Sequence, residues 1–216
     1  MSDARDLAKK AAVPAPKANV FPQVEITTQR LLLRAYTEAD TEDNAAMHGN
    51  EFASRWSDMP SPYTLDHSRE WCTRIAIDIR TSGYGVMWAV ADRVSGRLLG
   101  CTGFHRTDWR NRVTDVSATG APWAVGHGYA KEALRAISRW ALTDLQFNRL
   151  QITAAIDNQP PQRVAAACGF MREGVLRNAG SSRFGQVDMI IYSLVPSDLE
   201  KTGSRDEEMP CRIGTA

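Results

Sequence analysis

The sequence lacks the features that would assign it early. No run approaches the roughly 18 apolar residues that a membrane-spanning helix needs. The N-terminus has basic residues but no apolar signal core, so export is not indicated and a cytoplasmic address is the expectation. Charge of one sign is missing too: 26 Lys and Arg stand against 25 Asp and Glu, a formal net charge of +1. That balance gives no general reason to invoke nucleic acid or a membrane surface. Cysteine is sparse. The four, Cys72, Cys101, Cys168 and Cys211, are scattered and without metal-ligand spacing, so they read as reduced thiols. Neither a metal site nor an internal repeat is expected.

What is present suits one globular domain. In 216 residues, 43% are hydrophobic and 24% charged, enough to build a core without staples. Residues 1–23 are rich in Ala, Pro and Lys, with Pro14, Pro16 and Pro22 against any helix, and read as a flexible arm. From about Lys201 the chain becomes a polar tail, residues 201–216. The functional domain is expected between them, over 24–200.

Within it, Arg30-Leu31-Leu32-Leu33-Arg34 reads as a buried strand, and Thr37 and Asp40 offer caps to a polar helix ending near His48. A loop with Pro60 and Pro62 leads to a second helix near Asp66. Strands are expected over 86–93, 97–106 and 112–121, the first two joined by a Ser95-Gly96 turn. Ala130, Ala133, Leu134, Ile137, Ala141 and Leu145 then recur at helical spacing. Leu150, Ile152, Ala154 and Ile156 alternate as a strand does. Pro160 and Pro161 fit the first turn of a short helix that Gly169 would end, before two last strands over 170–177 and 187–194. The order implies an α/β (α+β) layer fold with a mixed sheet.

The strongest local signal is Val125-Gly126-His127-Gly128-Tyr129-Ala130, between a strand and the long helix. Glycines allow a tight turn and close approach by a ligand, and the free N–H groups of a helical first turn favour an anion such as pyrophosphate. A plain connecting turn is the alternative.

Taken with its surroundings, the chain resembles the GNAT acetyltransferase superfamily, in the branch of ribosomal-protein alanine acetyltransferases. Thr28-Gln29-Arg30-Leu31-Leu32-Leu33-Arg34 is similar to that branch's first strand, and residues 125–130 to its coenzyme A loop. Asn158 with Cys168-Gly169-Phe170 resembles its Asn…Leu-Gly-Phe segment. Glu173-Gly174-Val175-Leu176-Arg177 and Asp188…Tyr192 resemble its closing strands. The resemblance implies a mostly antiparallel sheet of about seven strands with about four flanking helices, splayed at the central strands. It implies acetyl-coenzyme A as donor, no metal, and a homodimer. Val125, Gly126, His127, Gly128, Tyr129 and Ala130 would hold the pyrophosphate. Thr119, Gly120 and Ala121 would pair with the pantetheine arm, and Asn158 would hydrogen-bond it. Val125 stands where the family usually has Gln or Arg, and Pro161 where many relatives have Ser near the departing sulfur. The thiolate's proton must then come from elsewhere or from water.

The reaction needs a neutral amine, whose ammonium form has a pKa near 10.4, and hence a general base. Asp115 is the first candidate, since related enzymes often place a Glu there; a solvent-facing polar role competes with it. His105 is the second, against an ordinary surface histidine. Tyr192 could protonate the thiolate, against a core tyrosine. The acceptor pocket is expected from the first two helices, closed by the last hairpin. There Glu51, Phe52, Trp56 and Asp58, with Trp109 from a later loop, would meet a cationic amine by charge and cation–π contact; for Phe52 and Trp56 a core role competes. The leading function is acyl transfer from coenzyme A to a primary amine of a small molecule, such as an antibiotic or biosynthetic intermediate. A protein N-terminal acetyltransferase, acting on a peptide N-terminus, is the alternative. A third reading is another acyl donor or a non-catalytic binding module, motivated by Val125 and Pro161.

Overall fold

The computed structural model describes residues 19–51, 55–56, 59–199 and 212–215. Its nine strands form a single sheet in the order β7-β8-β6-β5-β4-β3-β2-β1-β9. These are β1 (Val24–Thr27), β2 (Leu31–Arg34), β3 (Val86–Asp92), β4 (Leu98–Asp108), β5 (Val113–Gly120), β6 (Arg149–Ala155), β7 (Met171–Ser182), β8 (Gly185–Leu194) and β9 (Arg212–Thr215). Helices among the described residues include α1 (Thr41–His48), α2 (Leu65–Glu70), α3 (Ala76–Thr81), α4 (Tyr129–Thr143) and α5 (Gln159–Ala167). A π turn, Trp71–Ile75, joins α2 to α3 without a break.

The sheet has more strands than the expected seven, because two short segments carry no strong signal of their own. Val24 and Ile26 alternate with polar residues over only four positions, and β1 acquires its partner through the register Ile26↔Leu33 with β2. β9 then pairs with β1, Val24↔Thr215 to Thr27↔Arg212, so the last part of the expected polar tail is an edge strand. The expected N-terminal arm also reaches into the fold. Phe21 is fully buried, stacked 5.5 Å from Phe104 and 5.7 Å from Phe147. Residues 1–18 lie outside the described residues.

Each face of the sheet is packed differently. On one, the apolar stripe of α4 places Leu134, Ile137, Trp140 and Ala141 against the strands, with Trp140 meeting Trp88 edge-on at 5.5 Å. The other carries α1, α2 and α3. Arg34 at the end of β2 donates to both oxygens of Asp40 (2.7 and 2.8 Å), and Asp40 accepts the Thr37 N–H at 2.8 Å. That bidentate pair fixes how the chain leaves β2 for α1. Cys72, Cys101 and Cys168 are buried and form no disulfide among the described residues. No described helix is long and apolar enough to cross a membrane.

Every strand pairing is antiparallel except one. β5 and β6 run parallel, and their pairing extends only from Val113↔Arg149 to Asp115↔Gln151. Past that point β5 pairs on with β4 and β6 with β8, so the two strands separate. The sheet opens there into a wedge.

A candidate acyl-transfer site at the wedge

Because β5 and β6 are parallel, their C-terminal ends and the helices that follow them gather at one end of the sheet. β5 ends at Gly120 and leads to the loop before α4; β6 ends at Ala155 and leads to α5. On the wedge side the backbone of residues 116–120 is free to pair with an extended ligand. Thr119, Gly120 and Ala121 lie along this edge, and the Ala121 N–H is turned the other way, to the Leu99 carbonyl at 2.9 Å.

The glycine loop has the conformation an anion site needs. Gly126 and Gly128 have φ of +86° and +79°, which residues bearing a Cβ seldom adopt. Val125, Gly126, His127 and Gly128 are exposed, while Tyr129 and Ala130 open the first turn of α4. The first bond into the helix runs from the Glu132 N–H to the Gly128 carbonyl (3.1 Å). The preceding N–H groups therefore point outward with the positive end of the helix dipole behind them. The helix's N-cap residue, Gly128, has no side chain with which to cap it.

Across the wedge, Asn158 occupies the N-cap of α5, yet its side chain makes no cap bond. Its Oδ1 is buried and has no hydrogen-bond partner among the described residues. A buried acceptor left unpaired is uncommon and fits an amide N–H supplied by a ligand. The buried Gln162 side chain holds the end of β6 in place, donating to the carbonyls of Ala155 and Ile156 at 2.9 Å each.

At the fork, His105 on β4, Asp115 on β5 and Gln151 on β6 stand side by side in register, on the face that carries α1 to α3. A register shift after His105 and a φ of +51° at Arg106 turn that arginine to the same face as Asp115. Asp115 is buried, accepting from Arg106 through both Nε and Nη2 and from Gln151 Nε2. His105 Nε2 lies 4.0 Å from Asp115 Oδ2, and the ring is 29% exposed. Burial lowers the His105 pKa; the Asp115 charge opposes that only in part. The shift favours the neutral imidazole. The polar row continues outward: Arg149 reaches Gln151 (3.3 Å) and both oxygens of Glu173 (2.7 and 2.6 Å). The Glu173 pKa is held at about 2 by the Arg149 hydrogen bonds and by the Ser193 hydroxyl at 2.7 Å.

Other expected site residues are not brought here. Tyr192 pairs with Ile152, one position out of step with Ser193 and Gln151, so it faces the opposite side of the sheet and is buried in the core. It stands apart from His105 and Asp115. Trp109 packs on Phe21 and Phe147 at 4.7 and 5.6 Å and donates its indole N–H to the Gly83 carbonyl (2.7 Å). Trp56 does meet a cation, but the chain's own: the Arg55 guanidinium lies 4.9 Å over Trp56 and 5.4 Å over Phe184 at the β7–β8 tip. Glu51 is exposed on the segment after α1. Phe52 and Asp58 lie outside the described residues.

The sequence reading missed Arg106 and Gln151, and nothing local could have found them. Each reaches Asp115 through strand pairing, and Arg106 also through a left-handed backbone that no motif announces. It also missed Arg30, which donates to the His127 carbonyl of the glycine loop from the turn between β1 and β2.

Residues 30–171 match the acetyltransferase (GNAT) domain, and the chain belongs to that family of acetyl-coenzyme A-dependent N-acetyltransferases. It is 25% identical over 176 residues to the uncharacterized N-acetyltransferase YoaA of Bacillus subtilis (strain 168), covering 82% of this chain and 98% of that one. Among solved structures it is similar to Mycobacterium smegmatis RimJ in complex with CoA-disulfide: TM-score 0.73, 16% identity, 85% of this chain and 96% of that one. It is also similar to the microcin C7 self-immunity acetyltransferase MccE in complex with acetyl-CoA and AMP: TM-score 0.69, 19% identity, 77% and 93% coverage.

Proposed function

We propose that this protein transfers the acetyl group of acetyl-coenzyme A to a primary amine at the β5–β6 wedge, with His105 as general base. The observation that carries the reading is the convergence at one sheet end of a free strand edge, a glycine loop and an unpaired buried Asn158 Oδ1. These match an extended ligand with a pyrophosphate at one end and amides along its arm. The donor supplies the activated thioester.

The chain's residues do the rest. N–H groups of residues 126–130 hold the anionic end. The free edge of β5 orders the arm and directs an N–H at the developing oxyanion. His105 takes the proton from the attacking amine, and the Asp115 charge, balanced by Arg106, steadies the imidazolium that forms. This reverses the sequence-based order of the two bases, since Asp115 has its oxygens already engaged. With Tyr192 on the other face, water returns the proton to the thiolate.

The acceptor read from the sequence is a small-molecule amine, and one contact favours it. The Arg183 N–H donates to the Arg55 carbonyl (3.3 Å), bringing the β7–β8 tip onto the segment between α1 and α2 and bounding that side of the open face. A protein N-terminus is the second reading, supported by the likeness to RimJ and to the ribosomal-protein-S5-alanine acetyltransferase of Vibrio fischeri. The test is thiol release from acetyl-coenzyme A against a panel of small amines and peptides. Release with amines alone establishes the first reading and release with peptides alone the second. No release with any acceptor, despite coenzyme A binding, would turn the case to another donor or to a binding module.

A further inference from the structure

The glycine loop does not hold its shape unaided. It is tied to Arg30, at the turn between β1 and β2 and 97 positions away in sequence. Three contacts converge on that guanidinium. Nη1 donates to the His127 carbonyl (3.0 Å), while Nε and Nη2 both engage Glu132 Oε2 (2.7 and 2.6 Å). The guanidinium plane also covers the Tyr129 ring at 4.7 Å. Glu132 is 5% exposed and is held at Oε1 by the Thr28 hydroxyl (2.6 Å) and the Arg30 N–H (3.0 Å).

Peptide geometry gives this clamp a consequence. The C=O of His127 and the N–H of Gly128 belong to one planar trans unit and point in opposite directions. An arginine that draws the carbonyl inward turns the N–H outward, to the side where an anion would sit. The two positive-φ glycines would otherwise let that unit rotate. Charge matters as well. Glu132 places a buried carboxylate in the first turn of α4, where it would oppose a bound phosphate. Arg30 neutralises it, and at 44% exposure the guanidinium still faces solvent beside the loop.

We propose that Arg30 is a positioning residue of the anion site: its grip on the His127 carbonyl and Glu132 keeps the loop N–H groups turned toward the pyrophosphate of coenzyme A. The inference rests on the donor reading above and adds to it a residue outside the loop motif. It also gives Thr28 and Glu132 a role, as the anchor that holds Arg30 itself.

The experiment compares coenzyme A with pantetheine, which lacks the pyrophosphate, by titration calorimetry and ligand-observed NMR on the full chain. Arg30→Gln is expected to weaken coenzyme A about ten- to a hundredfold, the scale of one charge-assisted hydrogen-bond cluster, and to leave pantetheine unchanged. Arg30→Gln combined with Glu132→Gln removes the stranded carboxylate and serves as the variant that keeps the fold. It should still bind coenzyme A weakly, because nothing draws the His127 carbonyl inward. Wild-type coenzyme A affinity in that double variant would reduce Arg30 to charge balance and overturn the proposal. Equal losses for both ligands would overturn it too, as general damage. A wild-type chain that binds neither ligand would instead remove the donor reading, and the inference with it.

Discussion

His105 and Asp115 face each other across the β4–β5 ladder, with Nε2 4.0 Å from Oδ2. The separation exceeds a hydrogen bond, so the carboxylate acts on the imidazole through its field, while Arg106 and Gln151 occupy its oxygens. His105→Gln should lower kcat about 10²–10⁴-fold with the donor KM unchanged. Asp115→Asn has a signed effect on the pH profile. Losing the negative charge removes what raises the His105 pKa, so the acid limb of kcat should move to lower pH. An acid limb that stays in place would separate Asp115 from the chemistry.

Asn158 offers a cleaner separation of function from stability. Ncap Asn→Ala changes usually cost about 0.5–2 kcal/mol because a cap bond is lost. Here no such bond exists and Oδ1 has no partner among the described residues, so Asn158→Ala should leave the melting temperature almost unchanged. The same change should raise the KM for acetyl-coenzyme A several-fold. A stability loss without a KM change would mean that the side chain supports the fold alone.

Acid stability should depend on His48. Burial depresses its pKa from 6.5 to about 4, so the unfolded chain binds the proton more readily. Stability is therefore full above pH 6.5 and falls as pH drops from there toward 4, by an amount on the order of 3 kcal/mol. Below about 4 this group adds no further loss. In His48→Gln the urea midpoint should vary less over the same window. An unaltered slope would show that other groups govern it.

Phe21 tests where the folded domain begins. It is fully buried against Phe104, Phe147 and Trp109. Phe21→Ala should destabilise by about 3–5 kcal/mol, the usual cost of emptying such a site. Denaturant unfolding measures it, and a cost near zero would restore the expected arm to the solvent.

Local signals carried much of this protein. The helical stripe of α4, the alternation of β6, the prolines opening α5 and the glycine loop each depend on neighbours a few residues away, so periodicity exposes them. The separation of the central strands and Asn158 beside them came from family resemblance, and the strand pairing agrees with it. What was missed is non-local. β1 and β9 are too short to announce themselves and exist because each finds a paired edge. Tyr192 and Ser193 differ by one position, and only register decides which of them faces the fork.

Sequence by itself therefore determined most of the elements, their order and the glycine loop, since these rest on backbone preference and short-range pattern. Tertiary structure alone decided which groups meet. Arg106 reaches Asp115 through a left-handed backbone at a register shift, and Arg30 reaches His127 and Glu132 across 97 and 102 positions of sequence. Such contacts depend on where strands pair and where they part, which local periodicity does not encode.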